Sequence, residues 1–230
     1  MGNVRRGWWH LAALGAAMTS AAGASGLPLR MLALGDSYTI GESVPAAQRW
    51  PVQLAALLNG EGIPVAAPEI IAQTGWTTDE LSVAISAAQP AGRYGLVTLL
   101  IGVNNQYRGR DPEEFSLQFK DLLQRSVEFA GHRPDRVLVL SIPDWGVTPF
   151  GQQSGRDRAQ IANQIDHFNA LARAQVRIAG ALWVDITDLT REAPTNPALL
   201  AADGLHPSGK DYGRWAARAL PLVRARLRPE

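Results

Sequence analysis

The sequence predicts an α/β fold built on a five-stranded parallel sheet, and three observations carry that expectation. Short runs rich in branched apolar residues recur from Leu29 onward, and each is followed by a longer stretch with helical periodicity. Several of those helical stretches open on recognisable capping residues. The 230 residues, 46% hydrophobic and 19% charged, suit one domain with a substantial core. Alternation of this kind is the rhythm of parallel strands covered by helices on both faces.

The strands are read at residues 31–34, 69–73, 96–101, 137–141 and 182–186. Between them, Thr77, Thr78, Asp79 and Glu80 fit a capping box, in which a threonine hydroxyl and a glutamate satisfy amides at a helix start. Leu81, Ala84, Ile85 and Ala88 then share one face. Asp111 supplies the next cap, with Pro112 in the first turn and Glu113 and Glu114 at the positive end of the dipole. Phe115, Phe119, Leu122 and Leu123 follow at helical spacing, and Ile161, Ile165, Phe168 and Ala172 form another apolar stripe. Ser208 and Asp211 can cap a last helix, which Pro221 should kink or end early. Residues 143–155, rich in glycine, proline and glutamine, read as the longest loop and a candidate rim or lid. No internal repeat or heptad array interrupts the pattern.

The N-terminus reads as an address. Arg5 and Arg6 precede an apolar run over residues 8–18, and Ala22, Gly23 and Ala24 supply a small-x-small cleavage pattern. Residues 1–24 are therefore expected to be a removable signal peptide, with the folded domain over 25–230 and the mature protein periplasmic or secreted. The apolar run is shorter than the ~20 residues of a spanning helix, so stable membrane insertion of the mature protein is not expected. With 22 basic against 21 acidic residues there is no bulk field for nucleic acid. Cysteine is absent, which rules out disulfides, a thiolate nucleophile and sulfur-ligated metal. His10, His132 and His167 have no partner at metal-ligand spacing, so neither metal nor other cofactor is called for.

In open parallel sheets ligands collect beyond the carboxyl ends of the strands, so the residues just after each strand are informative. After the first come Gly35, Asp36 and Ser37; after the second, Gly75 and Trp76; after the third, Gly102, Asn104 and Asn105. Near the C-terminus, Asp203 and His206 stand three residues apart before Pro207. A Gly-Asp-Ser near the start, an isolated glycine, a Gly-x-Asn and a terminal Asp-x-x-His, in that order, resemble the blocks of SGNH (GDSL-like) serine hydrolases. The resemblance spans nearly the whole chain after the leader. It implies a flavodoxin-like three-layer α/β/α sandwich, with Ser37 as nucleophile, Asp203 and His206 completing a triad, and Ser37, Gly75 and Asn104 forming an oxyanion hole. Asn105 departs from the family's usual aspartate, which bears on the wall beside Asn104.

The chemistry asks for these residue types. A serine hydroxyl is a weak nucleophile near neutral pH, so a base must take its proton as it attacks. An imidazole serves when its other nitrogen donates to a carboxylate that also steadies the imidazolium. Asp36 reads as a structural turn residue rather than the acid. Trp76 and Trp145 are placed to line an acyl pocket or simply to pack, and with Asn105 they complete the candidate substrate contacts. Residues 204–210 mimic part of a phosphate loop, but Asp211 replaces the hydroxyl residue that would hold magnesium, and no strand precedes them. The resemblance implies a cofactor-free esterase acting on small-molecule esters or thioesters, with lysophospholipase, arylesterase and acetyl-sugar esterase activities in view. A carbohydrate O-acetylesterase and a non-catalytic binding module on the same scaffold are the alternatives.

Overall fold

The computed structural model describes residues 1–2 and 27–227. The charged pair, apolar run and cleavage pattern expected of a leader lie outside those residues. In chain order the elements are β1 (Met31–Gly35), α1 (Ser37–Ile40), α2 (Trp50–Gly60), β2 (Glu69–Ala72), α3 (Thr78–Ala88), β3 (Leu96–Leu100), α4 (Val103–Tyr107) and α5 (Pro112–Phe129). The second half continues with β4 (Val137–Leu140), α6 (Pro149–Gln153), α7 (Arg158–Ala179), β5 (Leu182–Val184), α8 (Thr187–Thr190) and α9 (Gly209–Leu227), with short 3₁₀ turns between. All five expected strands are present, each shifted by no more than two residues at an end.

The strands form one parallel sheet in the order β2-β1-β3-β4-β5, the flavodoxin-like arrangement. Every residue of β1, β3 and β4 is buried, whereas the edge strands β2 and β5 are partly exposed. That gradient explains why the central strands are continuous apolar runs. Helices α3, α5 and α7 pack side by side on one face and α2 packs on α9 on the other, giving three layers.

The chain leaves β1 for one side of the sheet and returns to β3 on the other, so the connections diverge between these two strands. Register sharpens the effect: Gly35 pairs with Leu100, so β1 and β3 end level and the turns that follow emerge side by side. Two glycines permit the closeness. A Cβ on Gly35 would lie 2.4 Å from the Leu100 carbonyl oxygen. Gly102 has φ +125°, and its Cβ would lie 2.6 Å from Phe115 Cε2 and 2.9 Å from Ile142 Cδ1.

The helix starts follow the capping pattern. Thr77 and Glu80 complete the capping box of α3, and Asp111 accepts the Glu113 and Glu114 amides at 2.8 and 3.0 Å. Two local expectations are corrected. Residues 143–155 are not an open loop, because Asp144 and Thr148 cap short helical turns over Trp145–Val147 and α6. Helix α9 runs on to Leu227 instead of stopping near Pro221. Pro221 and Ala217 both lie on the exposed face, where water can satisfy the carbonyl that the proline ring leaves without a donor. Among the described residues no helix is long and apolar enough to cross a membrane.

Replacing Gly102 with alanine should lower the unfolding free energy by about 2 kcal/mol or more, since overpacking and a positive φ act together. Urea denaturation of the two proteins measures this, and an unchanged midpoint would contradict the packing described.

Candidate active site

Ser37 begins α1 directly beyond β1 and is 5% exposed. Asp36 is the N-cap: its Oδ1 accepts the Tyr38 amide at 3.0 Å and its carbonyl accepts Thr39 and Ile40, each at 3.0 Å. The Ser37 amide is thus the one first-turn donor that Asp36 does not take up. Asp36 is structural, as its turn position suggested. Its Oδ2 is buried without a hydrogen-bond partner among the described residues, and burial pushes the carboxyl up to about 7 despite the opposing Tyr38 and Asp36 amides.

Asp203 and His206 form one compact turn. Asp203 Oδ1 accepts the Leu205 amide at 3.0 Å and the His206 amide at 2.9 Å, while Oδ2 accepts His206 Nδ1 at 2.7 Å. A carboxylate oxygen can only accept here, so Nδ1 carries the proton and the neutral ring presents Nε2 as an acceptor. Ser43 Oγ donates to the same Oδ2 at 2.6 Å. Partial burial pushes the Asp203 carboxyl up, but the Ser43 hydroxyl, the Leu205 amide and the His206 ring and amide outweigh it and hold the group at about 2. The Tyr38 ring packs on the imidazole with centroids 5.2 Å apart.

The second and third blocks are joined to each other. Asn104 Nδ2 donates to the Trp76 carbonyl at 2.9 Å, and Arg108 Nη2 donates to the Gly75 carbonyl at 2.6 Å while pairing with Glu80 at 3.1 Å. The loop carrying Gly75 is therefore held against α4 from both ends of that helix. Asn104 keeps a second N–H beyond the one given to Trp76.

Ser37, Asn104 and His206 share the wall of one cavity of about 150 Å³, closed by Tyr107, Trp145, Phe150 and Leu205. Asp203 stands directly behind His206, and Gly75 borders the Asn104 side without lining the cavity. The rings of Tyr107, Trp145 and Phe150 pack with centroids 5.3 to 6.2 Å apart, and Arg156 lies over Tyr107 at 4.5 Å. Trp145 is aimed by its indole N–H, which donates to Gln106 Oε1 at 2.7 Å. The Phe150 amide donates to the Gly204 carbonyl at 3.1 Å, linking this wall to the Asp203 turn. A larger groove of about 790 Å³ beside α7 and β5 contains neither serine nor histidine, so size alone does not locate the chemistry.

Two expected substrate contacts lie elsewhere. Asn105 is fully buried, with its Oδ1 accepting the Thr78 amide at 3.1 Å and its Nδ2 donating to Thr78 Oγ1 at 2.7 Å. It ties α4 to the start of α3 and faces protein rather than the cavity. Trp76 packs against the core and also leaves the cavity wall to others. Ser43, Tyr107, Phe150 and Leu205 were not singled out from sequence. Tyr107 carried a usable signal, one helical turn beyond Asn104, and Phe150 lay within the segment read as a rim or lid; Ser43 and Leu205 carried none. Among the described residues no cluster of three or more metal-ligating side chains occurs.

Comparison with known proteins bears on the family and the fold. The profile of the GDSL-like Lipase/Acylhydrolase family matches residues 33–214. A GDSL lipase of Mycobacterium tuberculosis is 28% identical over 205 residues, covering 84% of this chain and 81% of that protein. The crystal structure of a lipase/acylhydrolase from Enterococcus faecalis superposes with a TM-score of 0.64 at 19% identity, over 88% of this chain and 98% of the other. An acetylxylan esterase from Geobacillus stearothermophilus gives 0.60 at 17% identity, over 88% and 95%. At these identities the two structures speak to fold alone.

The two carboxyls act oppositely on stability. Folded Asp36 keeps its proton to about pH 7, whereas an unfolded aspartate releases it near 4, so stability falls as pH rises between those values. Asp203 is held at about 2, so its contribution is present above pH ~4 and is lost as pH falls toward 2. Asp36→Asn, which keeps the acceptor for Tyr38, should remove the larger share of the decline between pH 4 and 7, leaving that of Asp211, whose carboxyl burial pushes up to about 6. Urea midpoints across that range for the two proteins check it; parallel pH curves would show that Asp36 ionises normally.

Proposed function

Because the chain belongs to the GDSL-like lipase/acylhydrolase family, and so is a hydrolase of the esterase/lipase type, we propose that it hydrolyses carboxylic esters or thioesters through an acyl-enzyme on Ser37. The observation that carries this reading is the Asp203–His206 hydrogen bond of 2.7 Å, whose ring shares a cavity wall with Ser37 and Asn104.

In this reading His206 Nε2 takes the Ser37 proton as Oγ attacks the acyl carbon. The imidazolium so formed is stabilised by Asp203, which its hydrogen bonds keep ionised. Negative charge then gathers on the former carbonyl oxygen. The Ser37 amide, the Gly75 amide and the remaining Asn104 N–H are the donors assigned to it. His206 returns the proton to the leaving alcohol, the ester carbon stays bonded to Oγ, and water activated by the same nitrogen releases the acid and restores the serine.

The cavity supports small acyl groups. Its volume of about 150 Å³, lined by Tyr107, Trp145 and Phe150, suits a short acyl chain. Acetylated sugars form a second reading within this class. The Phe150 ring, 39% exposed, offers apolar surface on which a sugar can stack beside an acetyl-sized cavity. The fold likeness to an acetylxylan esterase is consistent with it. Arg5 and Arg6 ahead of the apolar run, with the small-x-small pattern after it, support export by residues 1–24 and an activity outside the inner membrane.

The purified protein should hydrolyse p-nitrophenyl acetate and butyrate, and Ser37→Ala should reduce kcat/KM by about 10³-fold or more. Rates should drop sharply by the twelve-carbon ester. Equal slow hydrolysis by wild type and Ser37→Ala would favour a non-catalytic binding module instead, and a preference for dodecanoate would overturn the short-acyl assignment.

A further inference from the structure

Ser43 lies six positions after the nucleophile, in the turn that follows Gly41, the residue closing α1. It has φ +64°, a left-handed conformation disfavoured for any residue with a Cβ. Among the described residues only Gln89 and His132 share a positive φ without being glycine. Gln89 caps α3 and His132 follows α5, places where left-handed backbone satisfies helix carbonyls. Ser43 closes no helix, and its strain is held by its surroundings.

Its hydroxyl explains what the conformation achieves. Ser43 Oγ reaches Asp203 Oδ2 at 2.6 Å, across 160 residues of chain. The other hydrogen bonds to that carboxylate come from Leu205 and His206, within its own turn. Those local bonds shape the turn but cannot set where it stands relative to α1. The neighbouring residue works in parallel: the Glu42 amide donates to the Ser37 carbonyl at 3.0 Å, and the Glu42 carboxylate accepts from Thr74, next to Gly75.

We propose that Ser43 is a positioning residue for the acid–base pair, registering the Asp203–His206 turn against the turn that carries Ser37. The inference rests on the serine-hydrolase reading above. By donating to Oδ2, Ser43 holds the carboxylate rotamer in which that oxygen faces His206 Nδ1. The ring orientation is thereby fixed, which in the reading above presents Nε2 to Ser37. Asp203 has a side chain 30% exposed, so without this tether water competes for the same oxygen.

Two substitutions separate the hydroxyl from the backbone. Ser43→Gly removes the oxygen and relieves the strain; Ser43→Ala removes the oxygen and keeps the strain. In both, kcat toward p-nitrophenyl acetate should fall on the order of tenfold, with KM changing by less than about twofold. Ser43→Gly should nevertheless unfold at the same or higher urea concentration than wild type. The low-field proton resonance of His206 Nδ1–H should shift in both variants, which a merely structural role for Ser43 would not cause. Wild-type kcat and an unmoved resonance in Ser43→Gly, alongside an inactive Ser37→Ala, would overturn the role of Ser43 alone. An active Ser37→Ala would instead remove the serine-hydrolase reading, and this inference with it.

Discussion

The site depends on one constraint of the backbone: β1 and β3 lie side by side and end at the same height. Gly35 stands opposite Leu100, and the absence of side chains at Gly35 and Gly102 lets the following turns crowd together. Had either strand been longer by a turn's worth of residues, Ser37 and Asn104 would open onto different parts of the sheet edge. The topological divergence between these strands supplies the crevice, and the buried apolar centre of the sheet makes its floor rigid.

Upon that floor the polar groups are held by short-range bonds of different reach. Asp36 shapes the start of α1, Asp203 shapes its own turn, and Asn104 is clipped to the Trp76 carbonyl. Each of these is local to one or two blocks. Besides the Asn104 clip, the contacts spanning blocks are Ser43 to Asp203, Glu42 to Thr74, Arg108 to Gly75 and the Phe150 amide to Gly204. Preorganisation of the whole constellation therefore resides in a handful of hydrogen bonds between loops.

The strands and principal helices were legible because their signals are local and redundant. Leu96 through Leu100 can be nothing but a buried strand once capped helices flank it, and the Thr77–Glu80 box announces a helix start by chemistry alone. Order along the chain is what singled out Ser37, Asn104, Asp203 and His206, whose roles are those proposed above. Tertiary context was the limit elsewhere. Asn105 has an amide suited equally to substrate or to Thr78, and only the packing of α3 decides. Trp76 and Trp145 look alike in sequence, yet the partnership with Gln106 turns one toward the cavity. Pro221 was expected to kink α9 or end it early, and the helix runs on to Leu227 with the proline on its exposed face. Ser43 was invisible because its role depends on a partner 160 positions away.

The bond from the Phe150 amide to the Gly204 carbonyl has a mechanical consequence. It ties the hydrophobic flank to the turn carrying Asp203 and His206, which in the proposed mechanism relays the proton. A bulky guest that wedges α6 outward also drags on the segment bearing the imidazole, so misfit is felt as misalignment of the reacting atoms. Selectivity in such an arrangement appears in turnover as well as in occupancy, and a distant change in how α6 is seated is transmitted to the chemical step.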